Sequence, residues 1–272
     1  MQHFLRICVY YINCGLAGNL SLKFNKDMKK SLLYFAITLL MATAANLAIA
    51  KSLITLVKNN ASKLDESRTV SGFSGITSSG SYAIFITMGD KESLRLEGSS
   101  EMINQIETKV ENGILKIRNK KQMNWRSWNS GEKVSIYIEA RTLHGITLSG
   151  SGDIEVSGTI KSTELRNTIS GSGSISQSMD AENFVAVISG SGKINAKGKA
   201  ENVKATIAGS GNFEGKELQT SNSNVKISGS GNITITADKY LEALISGSGN
   251  IRYGGNPSVK YTKSGSGSIA KY

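Results

Sequence analysis

The stretch Ile146-Thr147-Leu148-Ser149-Gly150-Ser151-Gly152-Asp153-Ile154-Glu155-Val156 decides how this chain folds. Apolar and polar residues alternate on both sides of a Ser-Gly-Ser-Gly tetrapeptide. That is the period-two pattern of a half-buried strand, interrupted by a corner that only glycine turns easily. The tetrapeptide, once as Ala-Gly-Ser-Gly, recurs seven times, with first glycines at Gly150, Gly171, Gly190, Gly209, Gly229, Gly247 and Gly265. The gaps are 21, 19, 19, 20, 18 and 18 residues, and a fixed period near twenty marks a stacked, repetitive architecture.

Around each corner the pattern is strict. Two positions before the first glycine stand Leu148, Ile169, Ile188, Ile207, Ile227, Ile245 and then Lys263. Four positions after it stand Ile154, Ile175, Ile194, Phe213, Ile233, Ile251 and Ile269. Glycines phased with isoleucines exclude a flexible Gly/Ser linker, whose glycines have no apolar register. The expectation is an all-β parallel β-solenoid of about seven turns with repeats of roughly twenty residues, each turn contributing two or three short strands. Its aliphatic residues stack on the next turn about 4.8 Å away. The motif serines, Ser151 to Ser266, should form one column at the corner, and Asn212, Asn232 and Asn250 an amide ladder beside it. Lys263 in the aliphatic column marks a terminal, capping turn.

Residues 69–139 carry the same chemistry less regularly, with strand-like runs at Tyr82–Met88, Ser93–Glu97, Ile114–Arg118 and Val134–Glu139. Ile76–Ile86 (ITSSGSYAIFI) is a degenerate copy of Ile146–Val156. Glu101–Lys109 reads as a helix or irregular cover. The whole of 69–272 is therefore one domain, with 69–145 a β-rich cap and first turns and 146–272 the repeats.

The N-terminal part reads as an address. From Met28, Lys29 and Lys30 precede an apolar run from Leu32 to Met41, and Ala48-Ile49-Ala50 supplies the small-x-small site of a signal peptide. Residues 28–50 are thus expected to be removed on export, leaving no membrane span. Residues 1–27 fit nothing in that plan and read as an extension ahead of a start at Met28, and 51–68 as a polar tether. Cys8 and Cys14 both lie in the first 27 residues. The expected localisation is export through the inner membrane to the periplasm, outer membrane or cell surface.

Composition narrows the function classes. The chain has 272 residues, two cysteines and two histidines, which excludes a disulfide framework, a zinc cluster and most histidine-dependent catalysis. Residues 51–272 hold 27 basic and 20 acidic residues. The positive charges are dispersed, which fits a solvated surface rather than a nucleic-acid partner. The glycine triplets open no helix, so no dinucleotide or phosphate loop is present. A calcium β-roll needs an acidic residue in every turn, and after the second motif glycine only Asp153 is one. No cofactor and no metal are expected.

Taken with the repeats, Arg68–Ile76 (RTVSGFSGI), Gly89-Asp90 and Glu111–Ile117 (ENGILKI) make the chain resemble the auto-transporter adhesin head-GIN domain family of Bacteroidetes-type bacteria over about 69–267. The resemblance implies a secreted or envelope-associated β-helical domain named as adhesin-like, with no catalytic residues to carry over. No translocator barrel is expected after the repeats.

The expected function is a non-enzymatic exported binding or adhesin-like protein whose partner is a cell-surface glycan or protein. The alternatives are a carbohydrate-active β-helix enzyme and a purely structural envelope protein. An enzyme would need paired carboxylates, for which Asp153 with Glu155 is the best local pair. Glu164 with Arg166 is a similar pair, and His144 has no visible partner. Trp125, Arg126 and Trp128 (NWRSWN) are the candidate ligand contacts, since aromatics in a loop can stack on sugar faces or anchor an interface. Exposed strands at the open end could pair copies into a homo-oligomer.

Overall fold

Each corner glycine brings two successive turns into backbone contact, and that contact builds the molecule. The computed structural model describes residues 63–120 and 134–272. The stretch 28–50 expected to be a signal peptide, residues 1–27 ahead of it, and Trp125, Arg126 and Trp128 lie outside the described residues. Among the described residues sixteen strands form one continuous sheet wound on itself. In chain order these are β1 (Lys63–Arg68), β2 (Gly75–Ser79), β3 (Ala83–Met88) and β4 (Ser93–Ser99), then a short helix α1 (Ser100–Asn104). β5 (Ile106–Glu111), β6 (Ile114–Asn119), β7 (Ser135–Ala140) and β8 (Gly145–Gly150) follow. The repeats supply β9 (Asp153–Gly171), β10 (Ser174–Gly190), β11 (Lys193–Gly209), β12 (Asn212–Gly229) and β13 (Asn232–Gly247). β14 (Asn250–Gly254), β15 (Ser258–Ser264) and β16 (Ser268–Lys271) close the chain.

β9 to β13 run in parallel register from turn to turn. The fold is the parallel β-solenoid of about seven turns that the repeat predicts. Each turn is one strand of 16 to 19 residues rather than two or three short ones. The bends are taken up as register shifts, for example between Ser176 and Ser178, so the strand turns without breaking its ladder. The start of each repeat strand forms a front face, its last third a rear face, and the middle a short third side.

Both predicted columns are stacks. Leu148, Ile169, Ile188, Ile207, Ile227 and Ile245 pair in succession on the rear face and are fully buried. Ile154, Ile175, Ile194, Phe213, Ile233 and Ile251 do the same on the front face, so the two faces close on one continuous apolar interior. Each fully buried aliphatic side chain adds about 1.5–3 kcal/mol.

The two motif glycines answer to different neighbours. Gly190 has φ of +118°, and a Cβ there would lie 2.5 Å from the Gly171 carbonyl oxygen one turn back. A Cβ on Gly192 would lie 2.5 Å from Ile169 Cγ2 and 2.9 Å from the Gly173 carbonyl oxygen. The first glycine thus supplies both a left-handed backbone and a close approach, the second close approach alone. The motif serines are exposed, and the backbone carries the corner: Ser172, Ser191, Ser210, Ser230 and Ser248 each donate a backbone N–H to the motif glycine of the turn before, at 2.9 to 3.0 Å. The asparagine ladder is present. Asn232 Nδ2 donates to Asn212 Oδ1 (2.9 Å) and Asn250 Nδ2 to Asn232 Oδ1 (3.1 Å). A second ladder, Asn222 to Asn202 to Asn183 (3.0 and 3.1 Å), runs on the other side of the turn and is not marked by the glycine motif.

The cap departs from chain order. β6 lies beside β2 and β7 beside β3, while β8 and β9 flank β2 and β3 on their other side. The degenerate turn β2–β3 is therefore sandwiched between a later turn, β6–β7, and the repeats. Ile76 pairs with Ile146 and Ile84 with Ile154, the alignment that the sequence copy implies. Beyond β6–β7 the parallel stack is closed by antiparallel strands, β5 on β6, β4 on β7 and β1 on β4.

Two expectations change here. The tether does not reach residue 68, because Lys63–Arg68 pairs with β4 along its whole length. The segment 101–109 is helix only in its first half: α1 ends at Asn104, β5 begins at Ile106, and the Asn112-Gly113 turn, with φ of +52° and +74°, folds β5 back on β6. At the other end Lys263 stands exposed where Ile245 would be covered by an aliphatic residue. A charge facing inward on a last turn blocks the addition of further strands.

Candidate functional site

The front face presents an outward row that crosses the whole sheet, built because one register position recurs in every turn. In spatial order it runs Arg95, Tyr137, Phe85, Glu155, Ser176, Asn195, Glu214, Thr234 and Arg252. Its first three members come from the cap. The Phe85 and Tyr137 rings stack with centroids 5.3 Å apart at 21°, and the Arg95 guanidinium sits 4.2 Å above the Tyr137 ring. Phe85 stays 38% exposed, which leaves an apolar patch in a polar surface.

Around this aromatic end is a surface depression of about 720 Å³ whose charged lining is Arg68, Glu92, Arg95 and Glu139. Arg95 is held by Asp65 at 2.9 Å and Arg68 by Glu66 at 2.7 Å. The Glu92 carboxylate accepts the Gly72 backbone N–H at 2.6 Å. Further along the same face a trough of about 820 Å³ is lined by Glu155, Ser176, Asn195 and Glu214, with Lys193, Lys197, Lys216 and Glu217 at its sides. Within it Asn195 donates to Ser176 (3.0 Å) and Lys197 pairs with Glu217 (3.2 Å).

The third side carries another polar trough of about 720 Å³, from His144 to Asp238. There His144 Nδ1 lies 2.8 Å from Ser162 Oγ, a spacing that suits a base and a nucleophile. The Ser162 hydroxyl, however, donates its proton to the Glu164 carbonyl oxygen at 2.6 Å. His144 therefore acts as donor to Ser162 and cannot take its proton in this arrangement. Asp153 and Glu155 share the outward face, as their spacing requires, and Asp153 accepts from Ser174 Oγ at 2.6 Å. Glu164 is turned outward beside Asn183. Among the described residues no three histidine, cysteine or acidic side chains converge on a point that could hold a metal ion.

Tyr82 explains why the first turn lacks the second glycine. It occupies that position, is 2% exposed, and donates its hydroxyl proton to Asn119 Oδ1. Burial pushes its phenol well above the usual range. It is an internal brace of the cap.

The sequence-predicted contacts Trp125, Arg126 and Trp128 lie outside the described residues, so the structure brings nothing to them. Phe85 and Tyr137 were not legible as a site, since they stand 52 residues apart in the chain and meet only through the out-of-order β7–β3 pairing. One signal was available. The copy ITSSGSYAIFI sets Phe85 at the outward position that Glu155 holds in the full motif.

A family model described as "Putative auto-transporter adhesin, head GIN domain" matches residues 72–257. A solved structure from Bacteroides fragilis, described as a putative adhesin, superposes with a TM-score of 0.70 at 24% identity, covering 77% of this chain and 96% of its own. One from Parabacteroides merdae, also described as a putative adhesin, gives 0.63 at 19%, covering 78% and 97%. One from Parabacteroides distasonis, described as a putative lipid binding protein, gives 0.62 at 24%, covering 78% and 98%. At these identities the likeness is one of fold. No curated protein matches the sequence significantly.

Proposed function

The chain belongs to the head GIN domain family, and from that premise we propose that it is an exported, envelope-associated binding protein of adhesin type that takes its ligand on the front face without chemistry. The observation that carries this reading is the exposed Phe85–Tyr137–Arg95 stack, an apolar platform on an otherwise polar wall. Buried aromatics hold folds together, whereas a ring stack left open to water is the usual anchor of a binding surface. Its members are fixed by strand pairing on both sides, which preorganises them for a partner. Catalysis finds no comparable support, given the donor role of His144 and the hydrogen-bonded state of Asp153. Trp125 and Trp128, with Arg126 between them, are proposed as further contacts from the same cap.

Protease treatment of intact source cells tests the reading. External protease should remove the chain while a periplasmic control survives, and cells displaying Phe85→Ala, Trp125→Ala or Trp128→Ala variants should adhere less than wild type. Full protection of the chain would overturn an adhesin role.

A further inference from the structure

We infer that the front face is a site for a neutral, linear polysaccharide laid along the solenoid axis, with one sugar ring packed against the exposed edges of the stacked Phe85 and Tyr137 rings. The inference rests on the binding role proposed above and adds the ligand's class and direction.

Three observations favour this ligand. The first is shape and direction. The aromatic depression and the long trough share one outward row, and that row advances one residue per turn along the axis. A ligand that follows it meets a new side chain every 4.8 Å or so, which suits an extended repeating polymer.

The second is chemistry. Beyond the rings the row offers Glu155, Ser176, Asn195, Glu214 and Thr234. These are carboxylates, hydroxyls and an amide that can accept from and donate to hydroxyl groups. No apolar residue interrupts them, so an acyl chain would find only the short aromatic stretch. A polyhydroxylated ring has an apolar C–H face for the exposed Phe85 edge and hydroxyl groups for the rest.

The third is charge. The trough holds three lysines against three glutamates, and the aromatic depression two arginines against two glutamates. Most of the arginines and lysines have carboxylates beside them. The front face is therefore close to charge-balanced. An anionic polymer or an acidic lipid surface would instead need unpaired positive charge.

The test is affinity electrophoresis of the full chain through gels containing a neutral mannan, a xylan or a β-glucan. Polygalacturonate gels and sedimentation with phosphatidylglycerol vesicles run beside it. Retardation is expected in at least one neutral polymer. Phe85→Ala and Tyr137→Ala should each weaken it by about tenfold, near the upper end for a ring contact. Phe85→Tyr should retain it, and Lys204→Ala on the rear face should leave it unchanged. Circular dichroism melts of each variant separate lost binding from lost folding, and Phe85→Leu, which keeps apolar bulk but not the flat ring stacked on Tyr137, should weaken binding less than Phe85→Ala. Absence of retardation in all three neutral polymers, retention by both alanine variants, or binding confined to polygalacturonate or vesicles would overturn the inference. If beads coated with the chain still capture whole cells in that case, the adhesin reading stands and only the ligand class falls; if the beads also fail, both fall.

Discussion

The repeat half and the cap solve the same problem by different means. In β9 to β13 every turn is held by backbone contact at the glycine corners and by stacked aliphatics, with few charges involved. In the cap the stack ends in antiparallel strands laced with ion pairs, among them Arg118 with Glu107 at 3.0 Å and Glu111 between Lys109 and Lys116 at 2.8 and 2.7 Å. Tyr82 replaces a corner glycine there. The contrast shows that close backbone approach fixes the turn-to-turn register, and that once strands run antiparallel the register is set by hairpins and side chains instead. At the cap the degenerate turn and β7 place two large outward rings side by side in the row that the repeats fill with Glu155, Ser176 and Asn195.

The sharpest way to break the comparison is at a corner. Gly190→Ala forces a Cβ against the Gly171 carbonyl oxygen in a left-handed backbone, and should cost about 3 kcal/mol or more, read as a lowered urea midpoint. Gly72→Ala in the cap is the matched control. It also has a positive φ, +73°, but nothing lies within 4 Å of the added carbon, so the cost should be about 1 kcal/mol. Equal losses at the two sites would show that close approach does not hold the register.

A second prediction has the opposite sign. Asn167 occupies an inward position between Ile146 and Ala186, is fully buried, and its amide has no hydrogen-bond partner. Asn167→Leu should therefore stabilise the repeats by about 1 kcal/mol or more, measured as a raised unfolding midpoint. A loss of stability would mean that the amide is satisfied within the fold.

The amide ladders should contribute less. Asn232→Ala removes two exposed hydrogen bonds, to Asn212 and from Asn250, and should cost about 0.5–1 kcal/mol. Hydrogen exchange should show the effect confined to β12, β13 and β14.

The smallest effect is electrostatic and belongs to the cap. Hydrogen bonds from Lys109 and Lys116 hold the Glu111 carboxyl down to about 2, against an ordinary 4.5. Arg118 holds the Glu107 carboxyl below its ordinary value in the same way. A carboxyl lowered in the folded state stabilises it above the unfolded value, and that contribution drains away as the pH falls from about 4.5 toward 2. Both groups are exposed, so the change is small and salt weakens it. Amide protection in β5 and β6 should fall over this window while that of β10 and β11 does not; equal loss in both would remove the distinction between the two halves.

Much of this was legible beforehand. The glycine spacing located every turn of the repeats, and the Asn212–Asn232–Asn250 ladder followed from it. The Asn183–Asn202–Asn222 ladder did not, because it lies away from the glycine motif and polar residues on an outward strand face carry no signal of stacking. The buried amides of Asn167 and Gln177 were equally silent, each sitting in a pattern that still alternates correctly around it.

What the sequence by itself determined is the turn: its length, its corner, its inward face and the order of the repeats after Gly145. Those follow from local causes, since a positive φ and a missing Cβ must be written at the residues that need them, and inward positions must be apolar wherever the strand lies. What only the tertiary structure decided is the order of the cap. β6–β7 lies outside β2–β3 against the direction of the chain, β1 and β4 close the end, and Phe85 meets Tyr137 and Arg95. These pairings join strands across long connections, where any alternating segment could supply the ladder hydrogen bonds. The choice among them is made by how the whole apolar end is covered, a property of the assembled sheet that no single stretch of residues encodes.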